Sequence, residues 1–282
     1  MKLLPIACLA AGLSLAAALS ASAEDAPKKI TIATEGAYAP WNFTTADGKP
    51  DGMEVELARN LCERMKIECT IITQDWDGLI PALTVGKFDV IMASMFITDK
   101  RLEVIDFTQP YAIDPSGFAV AKDSALGALA GSTEKIKLED EAPAKAAIDK
   151  IKPLIAGKIV GVQAATANLE FLKKYFDGAV EIREYKTTEQ HDLDLAAGRV
   201  DALFAQQTAL AATLAKPEFS GYTVAGPGFL GGVFGRGTGA GLRKQDTVLK
   251  AMFNKAIDEA IADGTIKKLS LKWLKADVTP PK

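Results

Sequence analysis

Histidine is almost absent from this chain of 282 residues: His191 is the only one. One histidine supports neither a catalytic triad nor a histidine-based zinc cluster, and no G-x-S-x-G elbow is present. His191 falls at the start of a helix, away from the strand-end loops, where a structural or surface role is expected. Cysteine is as scarce. Of the three, Cys8 lies in the N-terminal apolar run, which leaves Cys62 and Cys69 without the two further ligands that a zinc site needs. Basic clusters are missing, and a net charge of −3 argues against nucleic acid as a partner. Beyond the N-terminus no stretch is long or apolar enough to cross a membrane. No catalytic constellation, metal site or cofactor motif emerges from what is left.

The N-terminus reads as a secretory signal peptide, residues 1–23. Lys2 opens it, residues 3–19 form an Ala/Leu-rich run, and Ala21-Ser22-Ala23 gives an A-x-A site before Glu24. The many small residues favour cleavage over a retained anchor. Removing 23 residues from 282 leaves 259, and losing Lys2 takes the net charge from −3 to −4. That length suits one large domain or two ordinary ones. In an exported chain Cys62 and Cys69 read as a disulfide between a helix end and the next strand, with two separate buried thiols as the alternative.

The informative stretch is residues 73–101, TQDWDGLIPALTVGKFDVIMASMFITDKR. Trp76 precedes a helix, Gly86-Lys87 breaks it, and residues 88–93 form an apolar run of strand length. Ser94 and the residues after it lie at that strand's carboxyl end, where open α/β sheets bind ligands. Arg101 follows, a fixed cation suited to gripping a carboxylate. Residues 195–205, LAAGRVDALFA, match residues 83–93, LTVGKFDVIMA, without a gap. Two similar lobes sharing one cleft are expected, with Gln206 facing it from the second as Ser94 does from the first.

The rest of the chain fits α/β units. Residues 29–34 form a strand that exits into a charged, aromatic loop holding Glu35 and Tyr38. Residues 53–65 form an amphipathic helix with Val55, Leu57, Ala58, Leu61 and Met65 as its apolar set, and residues 66–73 form a strand. Residues 111–120 contain a first crossing between lobes. Residues 124–156 read as a long polar loop and a surface helix over 142–155 with a solvated Lys/Glu face. Strands follow at 158–162 and 180–185 and helices at 169–176 and 187–197, with Gln163 and Thr166 in the exit loop of the first of these strands. Residues 226–231 satisfy G-x-G-x-x-G, but Pro227 lies inside and no helix follows, so dinucleotide binding is not expected. Residues 231–241 are the return crossing, and helices close the chain at 245–262 and 266–274.

GAYAPWNF, GMEVELA, the Cys62/Cys69 pair, DGLIPAL, GKFDVIMASMFIT and DKR occur in the order and spacing of the polar amino-acid family of periplasmic solute-binding proteins, which serve ABC transporters. The chain resembles that family over essentially its whole mature length. Within it the chain looks most similar to the opine-binding branch, then to the lysine/arginine/ornithine- and histidine-binding proteins. The resemblance implies an α/β, type II fold: two similar lobes joined by a two-strand hinge, with the ligand cleft between them. One lobe comprises residues 24–114 and 233–282, the other residues 115–232. It implies a monomer in the periplasm that binds a small solute without a cofactor and delivers it to an inner-membrane permease with its ATPase subunits. It assigns the ligand carboxylate to Arg101, Thr166 and backbone N–H groups around Ser94 and Phe96, and an aromatic sandwich to Tyr38 and Trp76. Glu35 is then expected to meet a cationic group at the ligand's far end.

Two departures bear on the ligand. Amino-acid binders of the family place an aspartate where Gln206 stands, to pair with the α-ammonium. An amide cannot neutralise that charge, but it tolerates a secondary amine flanked by a second carboxylate, where an aspartate would repel. Such a ligand is an opine, an amino acid reductively joined to a keto acid. Phe96 stands where a carboxylate-binding serine is common, so that a ring is expected to intrude, and Ala167 removes a further hydroxyl. The rival class is a dehydratase on the same fold, which needs an acid/base pair, and only Glu35 is an obvious member. A ligand-sensing module is a third reading and needs an unlinked signalling partner.

Overall fold

The computed structural model describes residues 26–281; the expected signal peptide lies outside the described residues. Two large sheets carry the chain, beside a small three-stranded one formed by Ala37–Tyr38, Asn42–Thr44 and Pro50–Asp51. The first runs Glu68–Thr73, Lys29–Thr34, Val90–Ile91, Gly241–Leu242, Asp106–Phe107 in space. The second runs Glu181–Tyr185, Ile159–Gln163, Ala202–Gln206, Ser116–Ala121, Tyr222–Leu230, Lys135–Lys137. In each, three parallel strands are followed by a fourth, antiparallel one. That fourth strand is supplied by the chain just after it has crossed from the other sheet.

The internal repeat is structural. Gly86 and Gly198 both end their helices at positive φ, 76° and 67°. Three residues later an aspartate ties the coming strand to its neighbour. Asp89 N–H donates to Thr31 O, and its Oδ2 accepts from Thr31 N–H, both at 2.9 Å. Asp201 does the same with Ile159, at 2.9 and 2.8 Å. Equivalent registers follow, Ile32 beside Val90 and Val160 beside Ala202. The first-unit strand is only Val90–Ile91, shorter than the expected run over 88–93, because Phe88 and Asp89 form the turn that enters it.

Each sheet buries both faces, as parallel sheets with crossover helices do. Helix Met53–Met65 lays Leu57, Ala58 and Leu61 on the first sheet with helices Thr247–Ala262 and Thr265–Trp273, and Leu79 and Leu83 cover the opposite face. Burying each such leucine contributes roughly 1.5–3 kcal/mol. Cys62 and Cys69 form a disulfide that fastens the helix end to the edge strand. In the second lobe Phe118, Phe171, Phe204 and Phe229 fill the layer beneath helix Ala167–Phe176. Residues 124–156 are more ordered than a long loop. Lys135–Lys137 pairs with Gly228 to Leu230, and helix Glu141–Ile155 buries Ala144, Ile148, Ile151 and Ile155. These four recur at helical spacing within a polar sequence, a narrow stripe that the Lys and Glu residues mask. His191 is buried with its ring edge toward Tyr185.

The two crossings pair at one point: Tyr111 N–H donates to Thr238 O (2.9 Å) and Thr238 N–H to Ala112 O (2.8 Å). Gly235 precedes this point at φ 64°, and a Cβ there would sit 1.8 Å from Ile97 O. Both the conformation and the space require glycine. Gly235→Ala is expected to destabilise the protein by about 2–4 kcal/mol, read as a lower midpoint in urea unfolding; an unchanged midpoint would contradict this packing at the hinge.

Candidate ligand-binding site

The carboxyl ends of the two sheets face each other, and the described residues bond across the cleft between them. Tyr38 Oη and Ser94 Oγ of the first lobe both donate to Gln206 Oε1 of the second, each at 2.9 Å. Gln163 Nε2 donates to Glu35 Oε1 (2.6 Å), Trp41 Nε1 to Thr208 Oγ1 (2.9 Å) and Trp76 Nε1 to Ala165 O (3.2 Å). Lys186 pairs with Asp75 at 2.6 Å on the rim. This is the closed arrangement of the two lobes. It encloses a cavity of about 20 Å³, lined by Tyr38, Trp76, Ser94, Phe96, Arg101, Gln163, Thr166 and Gln206, together with Ala93, Ala167 and Asn168. That is room for a water-sized molecule, so an amino acid fits only with the lobes slightly further apart. A cavity of about 670 Å³ adjoins the outer side of Arg101, Thr166 and Ala167.

Arg101 is set by its local sequence. Thr98 caps the short helix Asp99–Leu102, its Oγ1 accepting from Arg101 N–H. The side chain turns back, so that Nη1 donates to Phe96 O at 2.9 Å and the guanidinium lies 5.2 Å from the Trp76 ring centroid. Burial pulls its pKa down to about 10, and no charged group offsets this. A partly buried guanidinium held by carbonyls and an indole face retains donors for an anion.

Several expected contacts are arranged differently. Ser94 N–H donates to Glu54 Oε1 at 2.6 Å, so this backbone donor is already engaged. Thr166 Oγ1 caps its helix by accepting from Leu169 N–H and donates its proton to Gln163 O (2.7 Å). The Phe96 ring turns away to Phe234, 5.5 Å between centroids, and joins the second-lobe core, because Phe234 and Phe171 offer it an apolar seat. Trp76 covers Arg101. Glu35 is buried behind Gln163, outside the cavity lining.

Sequence reasoning missed Asn168, which lines the cavity, and above all Glu54. Fully buried, it accepts from Ser94 N–H, from Asn42 Nδ2 at 2.7 Å and from Tyr111 Oη. Asn42 Oδ1 in turn accepts from Gly36 N–H (2.8 Å). One carboxylate thus ties both first-lobe cleft loops and the hinge to helix Met53–Met65, and holds Ser94 at φ 49°. The signal was present: Glu54 falls on the helix face of Leu57, Ala58 and Leu61, where an acid has no place unless it is bonded.

Two hinged α/β lobes that close around a guanidinium define a solute-capturing protein of the type II periplasmic binding fold. The chain belongs to the bacterial extracellular solute-binding proteins, family 3, whose pattern it matches over residues 30–276. It is 47% identical to an octopine-binding periplasmic protein of Rhizobium meliloti, over 99% of this chain and 100% of that one. It is 34% identical to an L-arginine-binding protein of Pseudomonas aeruginosa over 90% of each. Among solved structures it resembles a periplasmic His/Glu/Gln/Arg/opine family-binding protein from Silicibacter pomeroyi in complex with lysine. The TM-score is 0.71 and the identity 32%, covering 89% of this chain and 100% of that one. These curated relatives are binding proteins, and this chain is a solute-binding protein rather than a dehydratase.

Burial raises the carboxyls of Glu35 and Asp114 to about 7 each, against the hydrogen bonds from Gln163 and Thr208 respectively. Folded-state values above the ordinary carboxylate range mean that the folded protein binds these protons more tightly than the unfolded chain. Their contribution to stability is present below about pH 4 and lost as pH rises through about 7. The melting temperature attributable to them is therefore expected to fall between pH 5 and 8, and Glu35→Gln to flatten that slope. An identical slope in the variant would contradict the burial of Glu35.

Proposed function

We propose that the protein captures a basic amino acid or an opine in the periplasm and presents the closed form to the permease of an ABC transporter. In this reading residues 1–23 are a cleaved signal peptide, and the mature chain acts as a monomer alongside a permease with its ATPase subunits. Residues 24–114 and 233–282 form one lobe and residues 115–232 the other. The carrying observation is Arg101, a partly buried guanidinium in the cleft wall that no charged group of the described residues offsets. A ligand carboxylate supplies that charge, and its differential affinity for the closed arrangement drives the hinge. Tyr38 and Trp76 wall the ligand's stem, and Glu35 and Gln163, exchanging partners, take its distal cation. The ligands of the octopine-, arginine- and lysine-binding relatives all join a carboxylate to a distal cationic group, which this pair of ends accommodates.

The test is calorimetry on protein refolded to strip bound ligand, titrated with octopine, arginine, ornithine, lysine and histidine. Binding by at least one is expected. A ligand at a hundredfold excess over its Kd stabilises by about 2.7 kcal/mol, which a melting curve registers. Arg101→Ala is expected to weaken that binding at least about 100-fold, as loss of a buried charge-assisted pair does. Unchanged affinity in Arg101→Ala would overturn the carboxylate clamp.

A further inference from the structure

We infer that the protein carries a second small-molecule site at the hinge, divided from the cleft by Phe96, and that this site takes a zwitterionic amino acid with an apolar side chain. A cavity of about 630 Å³ lies there, with Phe96, Ile113, Leu230 and Phe234 as its apolar part. Phe96 also lines the cleft cavity, and the two share no other described residue. Both crossings contribute, the first through Asp114 and the second through Gly235, Arg236 and Gly237. Ile113 N–H donates to Val278 O (2.8 Å), which lays the C-terminal segment along the first crossing as one side of the cavity. Strand Lys135–Lys137 of the second lobe forms the other side. A cavity walled by both lobes and both crossings changes shape whenever the hinge moves.

The polar groups in this wall are incomplete in both signs. Asp114 is 2% exposed and lines the cavity. Its Oδ2 accepts from Thr208 Oγ1 (2.6 Å) and Thr208 N–H (3.3 Å), and among the described residues no donor reaches Oδ1. A buried carboxylate oxygen without a donor is costly, so a solute that donates completes it. Lys135 and Lys137 project from one face of their strand and form no ion pair among the described residues, while Arg236 reaches only Asp99, at 4.0 Å. These cations call for an acceptor. A solute that joins an ammonium to a carboxylate meets both demands. Its side chain is apolar, because the acids that could hold a distal cation are committed. Glu139 accepts from Gly232 N–H (2.6 Å), Asp277 pairs with Lys267 (3.1 Å), and Asp140, the remaining acid, is exposed to water. The site is also tied to closure. Thr208, which donates to Asp114, accepts from Trp41 Nε1 of the opposite lobe at 2.9 Å. An occupant therefore favours the closed arrangement, and by linkage the hinge site and the cleft tighten each other by the same factor. That coupling rests on the capture reading above; the hinge site itself does not.

The experiment is calorimetry with L-leucine, 4-methylpentanoate and 3-methylbutylamine, the last two being leucine without its amine and without its carboxylate. Each is titrated with the cleft empty and with it saturated by the tightest solute of the panel above. Leucine is expected to bind with the cleft filled, and about 10-fold or more tighter than either fragment, the range for hydrogen bonds to charged groups. The double variant Lys135→Ala, Lys137→Ala is expected to weaken leucine about 3- to 10-fold, as loss of two exposed ion pairs does, with the affinity for the cleft solute alone unchanged. In Asp114→Asn, leucine and 4-methylpentanoate are expected to bind within about 3-fold of each other, since the amide lacks the charge that the ammonium meets. Displacement of leucine by the cleft solute would overturn the inference, as would no binding at millimolar concentrations or undiminished binding to the lysine variant. Leucine bound with the cleft filled but without effect on the affinity for the cleft solute would overturn the coupling. Leucine bound while no panel solute binds would overturn the capture reading and uphold the hinge site.

Discussion

In the closed cleft the Arg101 guanidinium is partly withdrawn from water, and no protein charge compensates it. The effective penalty for fully burying an ion is several kcal/mol, of which a partly buried one meets a fraction. The Phe96 carbonyl and the Trp76 face return part of it. In the proposed capture role the remainder is the energetic handle by which a ligand controls the protein, because an anion delivered to this point would favour the closed arrangement over the open one. Tyr38, Ser94 and Gln206 act in the same direction by forming one hydrogen-bonded group only when the lobes meet. The two crossings themselves meet in a short backbone pairing around Thr238.

The scaffold delivers these groups through a repeated device. In each lobe a glycine at positive φ ends a helix, an aspartate fastens the next strand to its neighbour, and that strand stops in the cleft. Ser94 follows the first such strand and Gln206 ends the second. The same backbone solution thus supplies the two residues that bond across the gap. Ser94 is steadied from behind by Glu54, whose carboxylate reaches the helix, the hinge and both cleft loops of its lobe.

Much of this was legible in the sequence because it rests on local chemistry. Glycine stops, apolar runs and helical spacing fixed the repeat, and helix Met53–Met65 has the expected bounds. Most of the residues expected at the cleft line its cavity because strand ends in α/β sheets are where side chains converge, whereas Asn168 was not named among them and Glu35 lies outside the lining. The partners of their polar atoms were not legible. Thr166 and Ser94 look like ligand donors in the sequence, yet their protons and N–H groups are committed to Gln163, Gln206 and Glu54, choices set by contacts between distant segments. Phe96 was read as an intrusion into the cleft because nothing local indicates that Phe234, 138 positions later, offers it a seat. Strand Lys135–Lys137 escaped notice because only its middle residue is apolar.

Small-angle scattering of the ligand-stripped wild type and of Arg101→Met, each with and without a binding solute, tests the central coupling most directly. Methionine keeps most of the volume and removes the charge, so it removes the penalty on closure together with the means of relieving it. Without solute, Arg101→Met is expected to have a smaller radius of gyration than the wild type and to be insensitive to solute, whereas the wild type contracts on binding. A wild type already as compact as Arg101→Met before solute is added would contradict the claim that the unpaired guanidinium holds the cleft open.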